Sequence, residues 1–460
     1  MALQPRGLSW DARGFYSLQN EDTRAVPVRL FLNEALLPDV NADVYEQIVN
    51  ATRFPGTKLV VVTPDVHEGY GVPVGCAILT EARSGAVALG PTGYDIGCGM
   101  ISARSQVASE RATSDKRKAF NRAVMRRVEM GAGGVSRSLK NFSNEGFEKL
   151  VRGGAPAYNA MFGTRIDRGR CERDALEVEE GWQIPWGGPG KPERGIVQIG
   201  SLGGGNHFME LQHCLQTGTL FVQIHTGSRG FGHGLATNYF HLAKAEKGNG
   251  RRMDLGYFLP DSPLYRSYLN AVAAGANFAI VNRLVLFTAV AQAFEETFGS
   301  QVEVVYEISH NLVQRETHPE FGDVLVHRKG ATRAFPAGHP ALAGTRWARE
   351  GHPILIPGSN FDRSYILRGQ PSAINSAYSV NHGSGRRLSR TWARRHLDVR
   401  QIEKEYRTAG IVVNAGDCVP IDESGPCYKP SREVIDCVVE AGLASIEYEL
   451  LPLASLKGKD

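Results

Sequence analysis

No C-x-x-C pair and no disulfide-like spacing occur among the seven cysteines, an odd number, of the 460-residue chain. A disulfide framework is thereby excluded, and the thiols are expected to be reduced and free to bind a metal. The opening residues MALQPRGLSW hold no apolar signal region, so a cytoplasmic protein is expected. The longest hydrophobic run, residues 271–294, is broken by Asn277, Asn282 and Arg283 and reads as a buried helix, not a membrane span. Net charge is small, +4 with a pI near 8.6, only a weak pointer to an anionic partner. Several familiar catalytic devices are also missing: a G-x-x-x-x-G-K-[ST] phosphate loop, a G-x-G-x-x-G turn after a strand, a G-x-S-x-G elbow, an H-E-x-x-H pair and a K-x-D-G lysine motif.

What is present is glycine, 52 residues, clustered beside polar residues at the ends of β-branched runs. KLVVVTPDVHEGYG, AVALGPTGYDIGCG, TLFVQIHTGSRGFGH, VEVVYEISHN and PILIPGSNF share this layout. Strands that end in polar loops are where mixed folds place their sites. Helical patterns over 110–128, 264–297 and 431–441 fall between them, no repeat of fixed period is visible, and 140–195 reads as an irregular excursion. The expectation is an α+β fold: one large mixed α/β domain over 1–460 whose strand-end loops converge on one site. Basic residues gather in two clusters, Lys116, Arg117, Lys118, Arg122, Arg126 and Arg127, then Arg386, Arg387, Arg390, Arg394, Arg395 and Arg400. Both suit a polyanion, although a solvated helix face is the commoner use of either one.

Five residues combine into a metal-like set. GYDIGCGM spaces Asp95 and Cys98 so that both can face one ion from a tight turn. GSLGGGNHFMEL supplies His207, with Asn206 and Glu210 beside it. His225 and His310 each follow a strand-like run. Singly, each has an ordinary structural reading; together they offer N, O and S donors for one or two divalent ions. Cysteine with histidine suits zinc first, and a bridging thiolate with carboxylate and imidazole also admits manganese. Ser359, Ser364, Lys329, Arg333 and Lys457 are further candidates for holding phosphate, and SVNHGSGRRLSR sets His382 among glycines and arginines.

The motifs PDVHEGYGVPVG, GYDIGCGM, GSLGGGNHFMEL, HTGSRGFGH, SHNLVQRE, HRKGATRA, PGSN, NHGSGRRLSR and YKPSREVIDCVVEAG…LLPLASLKG follow one another in this order. From about residue 58 to 458 the series resembles the RtcB family of GTP-dependent RNA ligases. The resemblance implies joining of an RNA 2′,3′-cyclic phosphate or 3′-phosphate end to a 5′-hydroxyl end. It implies GTP and two manganese ions as cofactors, and His382 as the histidine that becomes guanylylated. Asp65 matches the residue that orients that histidine, and Arg386 matches the arginine of the same motif. Asp95, Cys98, His207, His225 and His310 match the metal ligands, with Cys98 bridging. Asn206, Phe208, Glu210, Ser359, Ser364, Gly383, Gly385, Tyr428 and Lys457 match positions that hold GTP.

The chemistry agrees with these residue types, because an imidazole attacks phosphorus only through an unprotonated nitrogen, and a carboxylate on the other N–H fixes that tautomer. A monomer without membrane contact is expected, with an archease-like activator as a candidate partner. Tyr94, Asn360 and Ser384 depart from the family's commoner valine, methionine and alanine, and none replaces a matched catalytic or metal residue. A metal-dependent RNA cyclic phosphodiesterase would use the same metal loops, but would give Asp65, Lys457 and the 379–390 loop no joint purpose.

Overall fold

β-branched runs form the strands of two large, mostly antiparallel sheets in the computed structural model, which describes residues 7–136, 139, 142–246, 253–416 and 419–458. Residues 1–6, part of the stretch read for an apolar leader, lie outside the described residues. One seven-stranded sheet runs Leu8–Asp11, Phe15–Leu18, Val28–Leu30, Thr57–His67, Val74–Glu81, Gly322–Lys329 and Asn311–His318. The eight-stranded sheet runs Glu303–Ser309, Gly99–Ala108, Thr219–Thr226, Phe208–Cys214, Ala444–Lys457, Ser364–Gly369 and Pro353–Ile356, with Val412–Val413 parallel to Ala444–Lys457. A two-stranded ribbon, Ala331–Arg333 with Ser379–Asn381, packs against Thr57–His67 and Val74–Glu81.

Antiparallel order has a direct consequence in the second sheet. Strands Gly99–Ala108 and Phe208–Cys214 begin, and Thr219–Thr226 and Glu303–Ser309 finish, at the same end of it. Met100 faces His225, Gly99 faces Ser309 and Phe208 faces His225 in the register. Residues from four separate segments of the sequence therefore meet at one sheet end.

Helices Ser114–Arg127, Pro263–Phe298 and Ser431–Glu440 answer the helical patterns. Asn144–Phe162 is also helical, which corrects the reading of 140–195 as irregular throughout; residues 140 and 141 lie outside the described residues. Gly153, Gly154 and Pro156 obscure its period, and Gly154 breaks it with φ 53° and ψ −137°. Phe147, Leu150, Val151, Ala155 and Tyr158 still reach the core. Further along, the excursion holds 3-10 turns at Arg168–Arg170 and Pro192–Gly195.

The 36-residue helix Pro263–Phe298 starts at Ser262, whose Oγ accepts from Leu264 N, and stops at left-handed Gly299. Long and apolar enough to cross a membrane, it is instead enclosed by the rest of the fold. Its polar interruptions explain why. Asn277 Nδ2 donates to Val151 O (2.9 Å) and Leu176 O (2.8 Å), and Asn282 Oδ1 accepts from Gly200 N (2.7 Å). Arg283, fully buried, donates to Glu307 Oε1 (2.6 Å), Gly97 O (2.7 Å), Thr226 O (3.0 Å) and Ser309 Oγ (2.9 Å). Three of these partners adjoin Cys98, His225 and His310.

Removing one member of a buried ion pair strands the other charge, at a cost of roughly 3–5 kcal/mol. Arg283→Leu should therefore lose stability on that scale in urea titration. Arg283→Leu with Glu307→Leu should lose less than Arg283→Leu alone, since no charge is then left unpaired.

Candidate active site

Each candidate metal ligand stands at the shared sheet end. Cys98 Sγ lies 3.6 Å from His207 Nε2 and 3.3 Å from His225 Nε2. His225 Nε2 is 3.3 Å from His310 Nε2, and His207 Nε2 is 3.0 Å from Asp95 Oδ2. Two triads result, Cys98–His225–His310 and Asp95–Cys98–His207, each with donor atoms within 4.8 Å of one another, and Cys98 belongs to both. That sharing is the geometry a bridging thiolate needs.

The surroundings prepare these atoms for cations. His207 Nδ1 meets Leu202 O at 3.0 Å and His225 Nδ1 meets Asn206 O at 3.1 Å, contacts that turn Nε2 of both rings toward the donor cluster, where the His207 Nε2 proton bonds Asp95 unless a cation displaces it. Burial pushes His225 and His310 well below the usual histidine range, with His207 and His382 respectively adding to the effect. Burial opposes ionisation of Asp95, but its bond to His207 outweighs that and holds the carboxyl below its usual range. Burial and the Asp95 charge push the Cys98 thiol well up, so a cation must displace its proton. The three soft and hard donors of each triad suit zinc or manganese alike.

The D-x-x-C turn reaches this place through small residues. Gly97 has φ 75°, and a Cβ there would come within 2.7 Å of Ala276 Cα on the long helix.

His382 follows the ribbon strand Ser379–Asn381 and its ring lies 4.8 Å from that of His310, centroid to centroid. Its Nδ1 is 2.6 Å from Asp65 Oδ2, which also accepts from the backbone N–H groups of His382 (3.1 Å) and Gly383 (3.3 Å). Thr63 Oγ1 donates to the other oxygen at 2.6 Å. Burial disfavours the Asp65 carboxylate, yet His382 and Thr63 together hold its pKa below the usual value. With Nδ1–H committed to Asp65, Nε2 carries the free lone pair.

Asp65 itself sits in an irregular part of strand Thr57–His67, where the pairing register with Val74–Glu81 shifts. Lys429 Nζ clamps the carbonyls on either side of it, Pro64 O (3.1 Å) and Val66 O (2.8 Å). Gly385 has φ 78°, and a Cβ there would strike Asp65 O at 2.2 Å, so the loop can close on Asp65 only with glycine.

The candidate nucleotide residues lie on the neighbouring strands. Lys457 pairs with Phe208 and Ser455 with Glu210 across the sheet, and Lys457 Nζ stands 5.7 Å from the Phe208 ring centroid. Glu210 is joined through Gln212 Nε2 (2.7 Å) to Ser364 Oγ (3.1 Å), which accepts from Gly358 N at 3.0 Å. Burial raises the Glu210 carboxyl to about 8. Ser359 Oγ accepts from Phe361 N and Asp362 N, shaping its turn, and Asn206 is exposed at the mouth. Asn360, one of the departures, accepts from Tyr406 Oη at 2.5 Å. Among the described residues, Asn360 Nδ2 and Ser384 Oγ are buried without a hydrogen-bond partner in the loops that flank His382, as befits a cradle for a polar ligand.

Glu423, absent from the sequence reading, organises the remaining candidates. It accepts from Arg386 Nη1 (3.0 Å), Arg390 Nε (3.0 Å), Lys457 Nζ (3.2 Å) and Tyr428 Oη. These cations overcome its burial and lower its pKa to about 2. Arg386 also donates to Leu388 O and Asp422 O, so it braces the loop after His382. Nothing in IDESGPCYKP distinguishes Glu423 from Asp422 except the tertiary contacts.

Lys329 and Arg333 have structural partners: Lys329 Nζ donates to Tyr70 O and Val72 O, and Arg333 pairs with Glu172 at 2.9 Å. The 116–127 cluster is similarly engaged, Lys116 with Thr297 O, Arg117 with Gly410 O, and Arg126 and Arg127 with Glu296. In the second cluster Arg394 pairs with Asp422 and Arg387 with Glu433, while Arg395 and Arg400 are exposed.

The family model described as tRNA-splicing ligase RtcB matches residues 47–458. This chain belongs to the RtcB family. Among curated RtcB proteins, it is 33% identical to the tRNA-splicing ligase of Thermococcus kodakarensis over 94% of this chain and 95% of the relative. It is 35% identical to the RNA-splicing ligase of Mycobacterium tuberculosis over 90% of this chain and the whole of the relative. The Nanoarchaeum equitans tRNA-splicing ligase is 32% identical over 96% and 98%. RtcB-family membership thus rests on nearly the whole length, and the site just described lies inside the matched segment.

Elemental analysis after loading with manganese should find Cys98→Ala poorer in metal than His225→Ala, because the thiol belongs to both triads. A second expectation concerns pH. A buried carboxyl raised from 4.5 to about 8 stabilises the fold fully below 4.5 and loses that contribution as pH rises through about 8. In thermal melts of the chelated protein, wild type should therefore lose stability over that window relative to Glu210→Gln.

Proposed function

We propose that this RtcB-family chain is an RNA ligase that joins 2′,3′-cyclic phosphate or 3′-phosphate ends to 5′-hydroxyl ends, with GTP and two manganese ions. The observation that carries the reading is the Asp65–His382 pair, 2.6 Å apart, with His382 packed on His310 of one metal triad. Asp65 holds the Nδ1 proton, and His382 Nε2 attacks the α-phosphorus of GTP. A P–N bond forms as the α–β phosphoanhydride breaks, and pyrophosphate leaves. Where the end is a 2′,3′-cyclic phosphate, water first opens the ring, breaking the P–O2′ bond and leaving a 3′-phosphate and a 2′-hydroxyl. An oxygen of the 3′-phosphate then takes the guanylyl group, breaking the P–N bond and giving RNA-(3′)pp(5′)G. Last, the 5′-hydroxyl attacks the RNA phosphate, loses its proton and releases GMP.

Asp95, Cys98, His207, His225 and His310 would hold the ions, which supply charge neutralisation on the phosphate oxygens. Phe208, Glu210, Ser364, Gly383, Gly385, Tyr428 and Lys457, with Asn206 and Ser359, form the GTP cradle. Lys457 and Arg386 share Glu423, so a phosphate or base entering there exchanges one set of charge-assisted bonds for another. The setting is tRNA splicing or RNA repair in the cytoplasm, by a monomer.

Incubation with manganese and GTP labelled on the α-phosphate should label the protein, and His382→Ala should abolish the label. Asp65→Asn should slow labelling by roughly the 100- to 10,000-fold that positioned proton-holding groups contribute. Cyclic phosphate opened without any label on the protein would instead indicate the phosphodiesterase reaction. Parallel reactions with an added archease-like activator would read whether labelling depends on it.

A further inference from the structure

The geometry points to an aromatic platform, Tyr70–Tyr94–His233, that stacks the terminal nucleobase of the RNA strand bearing the 3′-phosphate; the inference rests on the RNA-ligase reading. Tyr94 immediately precedes Asp95, so its Cα lies about 3.8 Å from that of a candidate metal ligand. The Tyr94 ring stacks on His233, centroids 5.0 Å apart with planes 23° apart. Tyr70 meets Tyr94 edge-on at 6.2 Å and 87°.

The row is fixed from beneath, and its two outer rings, Tyr70 and His233, are exposed. Buried Phe240 packs under Tyr94 at 4.8 Å. Lys329 Nζ anchors Tyr70 O at 2.8 Å although the Tyr70 side is 72% exposed. His233 is exposed on the first turns of helix Arg229–Ala245, with Thr237 Oγ1 3.4 Å from its Nδ1. An exposed tyrosine held by its backbone and a histidine stacked on a half-buried tyrosine offer π-faces to solvent without a need for reordering. Single-stranded RNA ends are recognised by such faces, because unpaired bases stack on aromatic rings.

Position selects the strand. Asp95 belongs to the triad with His207, whereas His382 packs on His310 of the other triad. A guanylyl group on His382 therefore lies toward one triad, and Tyr94 adjoins the other. A dinuclear centre holds an anion, and the 3′-phosphate is the anionic RNA end while the 5′-hydroxyl is neutral. Tyr94 carries His233 on one side and Phe240 on the other, so the base would stack on the exposed Tyr70 ring that Tyr94 props edge-on, and with the phosphate at the ions the reacting nucleotide would be fixed at both ends. Tyr94, where the family more often has valine, adds the central ring of this row.

The test uses full-length protein loaded with manganese and short RNA carrying fluorescent 2-aminopurine, either as the last base of the 3′-phosphate strand or the first of the 5′-hydroxyl strand. Wild type should quench the 3′-strand reporter on binding. Tyr94→Val and Tyr70→Ala should lose most of that quenching and raise the KM for this strand at least about fivefold, the factor for one lost base–ring stack. Tyr94→Phe should restore both, because the ring and not its hydroxyl meets Tyr70 and His233. Equal quenching and KM in wild type, Tyr94→Val and Tyr70→Ala would overturn the platform, as would quenching confined to the 5′-strand reporter. Failure of wild type to take label from GTP would strike the ligase reading itself.

Discussion

The site depends first on one buried cation. Arg283 comes from the middle of an otherwise apolar helix and bonds Gly97 O, Thr226 O and Ser309 Oγ, next to Cys98, His225 and His310. Its counter-charge, Glu307, is equally buried on the strand that leads to His310. A guanidinium supplies several donors in a rigid plane, which lysine could not do at the same spacing. The arrangement fixes three strand ends relative to one another before any metal is present.

On that frame two independent sheets are brought to bear on one point. The candidate ligands stand at one end of the eight-stranded sheet, Asp65 belongs to the seven-stranded sheet, and His382 follows the ribbon against it. Three hydrogen bonds from His382 and Gly383 to a single Asp65 oxygen close the gap. The same carboxylate thus sets both the position of the loop and the tautomer of its histidine. Glu423 does comparable work on the other flank, gathering Arg386, Arg390, Lys457 and Tyr428 into one buried network.

The polar interruptions of the long helix were legible as marks of a buried helix, and the D-x-x-C turn and the three histidines as a possible ligand set. A bridging Cys98 was expected from the RtcB resemblance, but which donors join it in each triad was not legible, because that follows from antiparallel register between strands more than a hundred residues apart. The helix Asn144–Phe162 was hidden by Gly153, Gly154 and Pro156, whose local preferences tertiary packing overrides. That Lys116, Arg117, Arg126 and Arg127 of the basic cluster have partners within the fold was not legible, since only the fold brings Thr297, Gly410 and Glu296 to them.

The sequence by itself determined the chemical inventory: reduced thiols, imidazoles and carboxylates at strand ends, a histidine among glycines, and motifs in RtcB order. Those are properties of residue type and spacing, which one-dimensional order preserves. Only the tertiary structure decided which nitrogen of His382 is free, which donors share Cys98, and which arginines are spent on Glu423 and Asp422. Each of these is a matter of a few ångströms between distant segments, settled by register and by the need of every buried polar group for a partner.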